Sequence, residues 1–187
     1  MKYILASGSP RRKELLALVG LPFGVCVPKV AEIIAPDCPP EQCAEDLAAQ
    51  KAAYVARQFP DDCVIGADTV VVAGGEILGK PKDAADAERM LRLLSGREHV
   101  VITGVCLRLG ERERRFSQHT LVRFYALGGE EIEAYVRTGE PMDKAGAYGI
   151  QGRGALLAEG ITGDYFNVVG LPVALLAREL RQFIRKE

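Results

Sequence analysis

The sequence predicts a mixed α/β protein whose sheet is not purely parallel. Helix-like and strand-like patterns alternate along the chain, as in α/β folds. Two turns, Gly74-Gly75 and the charged segment 110–113, are of the kind that joins antiparallel strands. The 187 residues, 48% of them hydrophobic, are enough for one domain or two small lobes with a buried core.

The elements follow from apolar runs and from the residues that start and end helices. Ser9 favours the N-cap of the first helix and Pro10 its first position, while Asp83 and Gly96 favour the start and end of a later helix. The predicted helices span about 10–19, 41–59, 83–94, 130–137 and 172–185. The predicted strands span about 1–6, 23–30, 64–72, 76–78, 98–109, 114–126 and 155–160, and a glycine-rich loop covers 146–154.

The charge balance argues against a general nucleic-acid-binding protein. The chain has 24 basic and 25 acidic residues, whereas such proteins are usually basic overall. No apolar run reaches the roughly 18 residues of a membrane span, and the N-terminus lacks the layout of a secretory signal. We therefore expect a cytoplasmic protein with neither nucleic acid nor membrane as a partner.

The cysteines and histidines indicate structural roles. The five cysteines are odd in number and form no CxxC pair, so we expect buried reduced thiols. Cys38 and Cys43 could be two zinc ligands, but nothing nearby completes a set of four. His99 and His119 lie in strand-like segments outside any motif, which argues against a Ser–His–Asp or Cys–His enzyme.

The start of the first helix predicts an anion site. The unpaired N–H groups and the dipole of a helix N-terminus attract anions, yet Arg11 and Arg12 add positive charge to this first turn. These two charges oppose the helix dipole, and a bound phosphate would offset the penalty. The alternative is a solvated arginine pair on a surface helix. Gly8 allows a ligand to approach the backbone, and Ser7 and Ser9 offer hydroxyl donors.

Asp68 stands out because it lies within the apolar strand predicted over 64–72. Burying an unpaired carboxylate costs several kcal/mol, so Asp68 requires a cation partner. The alternatives are a salt bridge at the strand end, a metal ligand or a general base. Glu32 could supply the second carboxylate that a magnesium-like ion would need beside Asp68.

Three further polar residues are weaker candidates when taken alone. Lys80 follows Gly79 and precedes Pro81, where it could reach a phosphate as a point charge. Lys51 is the only charge in an alanine-rich stretch of helix, and this context by itself indicates a solvated side chain. Gln151 lies in the glycine-rich segment 149–154, which matches neither GxGxxG nor the P-loop. Its amide suits the edge of a pyrimidine base, although a mobile loop is the alternative.

Taken together, these segments resemble the Maf family, the house-cleaning nucleoside triphosphate pyrophosphatases also called septum formation inhibitors. The similarity runs nearly end to end. It is carried by Leu5-Ala-Ser-Gly-Ser-Pro-Arg-Arg, Lys51-Ala, Gly66-Ala-Asp-Thr-Val-Val, Leu78-Gly-Lys-Pro, Met90-Leu to Leu94-Ser-Gly, Gly149-Ile-Gln-Gly and Asn167-Val-Val-Gly-Leu-Pro.

The resemblance implies one Maf-like domain of two lobes over residues 1–187, with an elongated mixed sheet flanked by helices. The implied fold is that of the inosine triphosphate pyrophosphatases (Maf/Ham1-type), with a substrate cleft between the lobes. The implied reaction is hydrolysis between the α and β phosphates, which yields a nucleoside monophosphate and pyrophosphate. A homodimer is also suggested by the family.

The resemblance also implies a role for each candidate residue. Asp68 accepts a proton from water and holds a divalent ion, Mg²⁺ or Mn²⁺, together with Glu32. The negative charge of the triphosphate is neutralised by Lys51, Lys80 and Arg12, and Ser7 donates a hydrogen bond to the triphosphate. Arg11, Thr69 and Gln151 select the base, a pattern typical of the branch that acts on dTTP and UTP.

Two other functions stay open at this point. One is a purine triphosphate pyrophosphatase of the inosine/xanthosine type, against which Gln151 and Arg11 argue mildly. The other is a nucleotide-binding regulator of cell division without turnover. Asp68, Lys51 and Lys80 disfavour the regulator, because binding alone would not need a water-activating carboxylate.

Overall fold

A computed structural model describes residues 1–31, 33–35 and 37–185. Its seven-stranded sheet has the order β2-β1-β3-β5-β6-β7, and β4 pairs with β3 outside this path. The sheet is mixed, because β1 runs parallel to β2 and β3 whereas β4 and β7 are antiparallel to their partners. The strands are β1 Tyr3–Ala6, β2 Phe23–Val25, β3 Cys63–Ala73, β4 Glu76–Leu78, β5 Glu98–Leu109, β6 Arg112–Phe124 and β7 Ala158–Gly163.

Six α-helices accompany these strands in the described part of the chain. They are α1 Pro10–Ala17, α2 Pro40–Ala56, α3 Ala84–Leu94, α4 Gly129–Val136, α5 Tyr165–Val169 and α6 Val173–Arg185. Three short 3₁₀ turns, Glu140–Asp143, Ala145–Ala147 and Gly152–Leu156, lie between α4 and β7. Over the described ranges, no helix combines the length and apolar character that a membrane span requires.

The chain divides into two compact units. Unit 1 comprises Met1–Asp68, Thr103–Gln118 and Gly170–Glu187, of which the last two residues lie outside the described part. Unit 2 comprises Thr69–Ile102 and His119–Val169. The division falls within β3, β5 and β6, so each unit contains one part of each of these long strands.

In unit 1, small residues let α2 pack directly on the sheet. Ala44, Ala48 and Ala52 form a buried stripe at helical spacing. A Cβ added at Gly66 of β3 would lie 2.2 Å from the Ala48 carbonyl oxygen, and one at Gly104 of β5 would lie 2.3 Å from the Ala44 carbonyl carbon. Only glycine at these two positions lets the backbone of the helix approach the strands so closely.

Unit 2 contains a buried aromatic cluster. The His99 ring packs edge-on against Phe124 and Tyr148, with ring centroids 4.9 and 5.4 Å away. His99 Nε2 is 2.8 Å from the Tyr148 hydroxyl, and only 2% of His99 is exposed. This confirms the structural role expected of His99.

Most predicted elements are confirmed within a few residues, but the strand predicted over 23–30 is wrong beyond Val25. Cys26 N still donates to Leu5 O at 3.0 Å, but Pro28 has no N–H with which to continue the ladder. The last strand begins at Ala158, because a 3₁₀ turn occupies Gly152–Leu156. The short helix α5 was not predicted.

The cysteine prediction is confirmed in part. All five thiols are free; Cys43, Cys63 and Cys106 are buried, whereas Cys26 and Cys38 are partly exposed. Burial raises the pKa of the Cys63 thiol to about 12, which keeps it protonated and inert. Among the described residues, no group of three or more histidine, cysteine or acidic side chains could hold a metal ion.

Candidate active site

Asp68 and Lys51 form an ion pair in unit 1. Lys51 Nζ donates a hydrogen bond to Asp68 Oδ1. Only 12% of the lysine side chain and 13% of the aspartate side chain are exposed. The prediction that Asp68 needs a cation partner is therefore confirmed. The separate interpretation of Lys51 as a solvated side chain is wrong, because its helix turns it towards the carboxylate in β3.

The sequence brings this pair together through the close contact of α2 with β3. Asp68 lies two residues after Gly66, so both point to the same face of the strand. Lys51 lies three residues after Ala48, one turn further along α2. Because Gly66 and Ala48 are in contact, the next positions along both elements also lie close together. Gly66 thus determines where Lys51 meets Asp68, a role that no pattern in the sequence indicated.

The loop between β1 and α1 has the predicted cap. Ser9 Oγ accepts a hydrogen bond from Arg12 N at 3.4 Å, and Pro10 is the first helical residue. Ser7 is buried, and its Oγ accepts a hydrogen bond from Ser9 N at 3.1 Å. No acidic residue lies in the first turn of α1. Arg11 and Arg12 therefore give this first turn a positive charge that no acidic residue within the turn offsets.

The Arg12 guanidinium is oriented by a residue far along the chain. Its Nε donates to the Gly170 carbonyl at 2.9 Å, within unit 1. Gly170 has φ 130°, a conformation that favours glycine. The planar guanidinium fork is therefore held at one edge by the protein. Nothing in the sequence linked Gly170 to Arg12, although both lie in segments that carry the resemblance to the Maf family.

Of the two predicted metal ligands, Asp68 and Glu32, only Asp68 lies among the described residues. Its carboxylate is a hard oxygen ligand of the kind that Mg²⁺ takes, together with waters and substrate phosphates. Glu32, the other predicted ligand, lies outside the described residues. The next residue, Ile33, is held through its backbone: Gln50 Nε2 donates to Ile33 O at 2.7 Å, and Ile33 N donates to Gln50 Oε1 at 3.0 Å.

The remaining predicted residues lie in unit 2. Thr69 follows Asp68 in β3 and is partly buried. Lys80 is exposed and precedes the buried Pro81, and the adjoining Gly79 carbonyl accepts from Gly146 N at 3.0 Å. Gln151 is exposed in the glycine-rich segment. That segment is anchored by hydrogen bonds from its backbone, which argues against the alternative of a mobile loop.

The model of the family described as "Maf-like protein" matches residues 2–183. The chain belongs to the Maf family. Two Maf relatives, each named dTTP/UTP pyrophosphatase, show how similar it is. The relative from Bacillus cytotoxicus is 54% identical over 182 residues, which cover 97% of this chain and 95% of the relative. The relative from Symbiobacterium thermophilum is 55% identical over 180 residues, which cover 96% and 93%.

A solved structure confirms the predicted fold of this Maf chain. The Ham1 protein of Staphylococcus aureus matches with a TM-score of 0.57, covering 97% of this chain and 99% of its own. Sequence identity is 15%, so this likeness shows the fold alone.

Proposed function

We propose that this Maf protein is a nucleoside triphosphate pyrophosphatase that converts dTTP and UTP to the monophosphate and pyrophosphate. The names of relatives at 54 and 55% identity over nearly the whole chain support this substrate class. The observation that carries the chemistry is the ion pair of Lys51 with Asp68, whose carboxylate is shielded from most of the solvent.

Asp68 is the proposed general base. An ionised carboxylate can accept a proton from the water that attacks the triphosphate. Lys51 holds this carboxylate in place, and its charge offsets the negative charge that grows on the leaving pyrophosphate. Catalysis of this kind depends on positioning and electrostatics, so it requires no nucleophilic serine or cysteine.

The start of α1 is the proposed binding site for phosphate in unit 1. Ser7 donates its hydroxyl, while Arg11 and Arg12 face the ligand from the first helical turn. The hydrogen bond from Arg12 Nε to the Gly170 carbonyl supports this role, because it orients the guanidinium for a fork-like contact with phosphate oxygens. Arg11 also contributes to selection of the base.

Lys80, Thr69 and Gln151 complete the proposed set from unit 2. Lys80 neutralises phosphate charge, which suits an exposed lysine on a backbone stiffened by Pro81. Thr69 and Gln151 select the base with a hydroxyl and an amide, which together offer the donors and acceptors that a pyrimidine edge requires.

Mg²⁺ or Mn²⁺ is the proposed cofactor, held by Asp68 and Glu32. When bound, it would neutralise charge on the phosphate oxygens and polarise them. Asp68 fits this role as a hard oxygen ligand, and substrate phosphates would supply further ligands. We propose that the enzyme acts in the cytoplasm, on free nucleotides.

A panel of triphosphates tests this function. The purified protein is incubated with dTTP, UTP, CTP, ITP, XTP and GTP with either Mg²⁺ or Mn²⁺, and pyrophosphate and orthophosphate are measured separately. We expect pyrophosphate from dTTP and UTP with the highest kcat/KM. Preference for ITP or XTP would assign the purine activity instead. Tight binding of UTP without pyrophosphate release would indicate a regulator that does not turn over.

A further inference from the structure

The glycine-rich segment 149–154 is fixed by two side chains that the proposed function does not use. Gly149 N donates to the Tyr135 hydroxyl at 3.2 Å. Arg153 N and Gly154 N each donate to one oxygen of the Glu140 carboxylate, both at 3.1 Å. Tyr135 Oη in turn donates to Glu140 Oε1 at 3.0 Å. Both ends of the segment are therefore tied to one hydrogen-bonded pair in unit 2.

The segment closes tightly on this pair. A Cβ added at Gly154 would lie 2.1 Å from the Gly149 carbonyl oxygen and 2.7 Å from the Tyr135 hydroxyl. Gly152 has φ 65°, and a Cβ there would lie 2.9 Å from Glu140 Oε2. These glycines are required by the close contacts. The exposed Gln151 thus lies between two anchored points of a narrow loop.

Two successive backbone donors of this loop, Arg153 N and Gly154 N, are already occupied by an anion. Successive N–H groups of this kind can form an anion-binding concavity, and here Glu140 fills it. A phosphate in the same place would meet the negative charge of the carboxylate. These two donors are therefore not available to the triphosphate, and the exposed Gln151 favours recognition of the base as the role of the loop.

The protonation states of the pair support this arrangement. Partial burial raises the pKa of Glu140, but the backbone donors Gly154 and Arg153, the Tyr135 hydroxyl and Lys144 outweigh it and hold the pKa below its usual value. Burial raises the pKa of Tyr135, so its hydroxyl keeps the proton that it donates. Both partners keep their hydrogen-bonding roles at neutral pH.

We propose that Glu140 and Tyr135 are positioning residues that set base selectivity by fixing the loop that carries Gln151. This inference rests on the proposed hydrolysis of pyrimidine triphosphates. A positioning role predicts a specific kinetic pattern. A displaced Gln151 weakens recognition of the base, whereas Asp68 and Lys51 of unit 1 are unaltered. KM for UTP then rises more than kcat falls, and discrimination against other triphosphates weakens.

The experiment compares Glu140→Gln, Tyr135→Phe and the control Glu133→Gln with the wild-type protein. Glu133 is an exposed carboxylate on the same helix as Tyr135, 3.8 Å from Arg137. For the first two variants we expect KM for UTP to rise about tenfold and kcat to change less than about threefold. The ratio of kcat/KM for UTP to that for GTP should fall about tenfold. The control should behave as wild type.

A double-variant cycle separates positioning from a general structural role. If Glu140 acts through Gln151, then adding Glu140→Gln to Gln151→Ala should change KM and selectivity by less than about twofold. Additive effects would overturn the inference, as would unchanged KM and selectivity in folded single variants. Tyr135→Phe keeps the buried ring and decides the matter if Glu140→Gln does not fold.

The outcome also distinguishes this inference from the proposed function. If the wild-type protein releases pyrophosphate from UTP but the variants show the same KM and selectivity, only the positioning role fails. If the wild-type protein cleaves no triphosphate, the proposed function fails and the inference fails with it.

Discussion

Lys51 of α2 donates a hydrogen bond to Asp68 of β3, and both side chains are largely shielded from solvent. Each charge therefore depends on the other. A partly buried carboxylate without its cation would be strongly disfavoured. The same pair is the proposed centre of catalysis. Substitutions in the pair should therefore change both the free energy of unfolding and the catalytic activity of the protein.

The first prediction concerns the removal of one partner of this pair. Lys51→Met should lower the free energy of unfolding by about 2–3 kcal/mol, because Asp68 is left unpaired in a shielded position. It should also lower kcat for UTP by about a hundredfold or more. Urea unfolding and pyrophosphate release measure the two effects.

The matched control for this prediction is the double variant Lys51→Met with Asp68→Leu. Replacing both charges by apolar groups should restore most of the stability but none of the activity. Full stability of Lys51→Met alone would show that the ion pair contributes little. Activity in the double variant would remove the pair from catalysis.

The second prediction tests the contact that places the pair. Gly66→Ala adds a Cβ 2.2 Å from the Ala48 carbonyl, so α2 must move away from β3. Overpacking of this kind costs about 1–3 kcal/mol, and the shift also separates Lys51 from Asp68. Urea unfolding and kcat should both show a loss. Gly160→Ala, in exposed β7 with nothing within 4 Å of the added atom, should change neither. Equal effects of the two substitutions would refute the role of Gly66.

The third prediction is a pH dependence of stability. Burial lowers the pKa of His99 to about 4, and among the described residues its Nδ1 has no hydrogen-bond partner. In the unfolded chain His99 binds a proton near pH 6.5, whereas in the folded protein it binds one only near pH 4. The unfolded state therefore holds more protons in this interval. Stability should be full above about pH 6.5 and should decrease as the pH falls towards 4.

Chemical denaturation at pH 7 and pH 5 measures this effect. The His99 contribution should amount to roughly 2 kcal/mol of lost stability between these two values. The variant His99→Gln lacks the titrating group and should lose correspondingly less over the same interval. A wild-type protein and variant with the same pH dependence would show that His99 is not responsible.

Local patterns in the sequence predicted much of the fold and part of the site. Ser9 and Pro10 specified the start of α1, because capping depends on neighbouring residues alone. Asp68 pointed to a cation because a carboxylate in an apolar strand needs one. Lys51 was not recognised as that cation from its own helix, because its environment depends on how α2 meets β3. The resemblance, rather than the pattern, placed it in the site.

Other features depend on contacts that no local pattern encodes. The strand predicted over 23–30 stops early because hydrogen bonding to β1 ends before Pro28. The role of Glu140 arises from its contact with amides 13 and 14 residues further along the chain. The sequence does not indicate that an acidic residue will accept hydrogen bonds from a glycine-rich segment. It also does not indicate that the Gly170 carbonyl will accept one from Arg12.

The most direct test of the account is product analysis with Asp68→Asn. Wild-type protein and variant are incubated with UTP and Mg²⁺, and UMP, pyrophosphate, UDP and orthophosphate are quantified, with circular dichroism to confirm folding. We predict that the wild-type protein yields UMP and pyrophosphate, whereas the folded variant loses turnover by about a thousandfold because the amide cannot accept the proton. Near-wild-type release of pyrophosphate by Asp68→Asn, or UDP and orthophosphate as the wild-type products, would contradict the account.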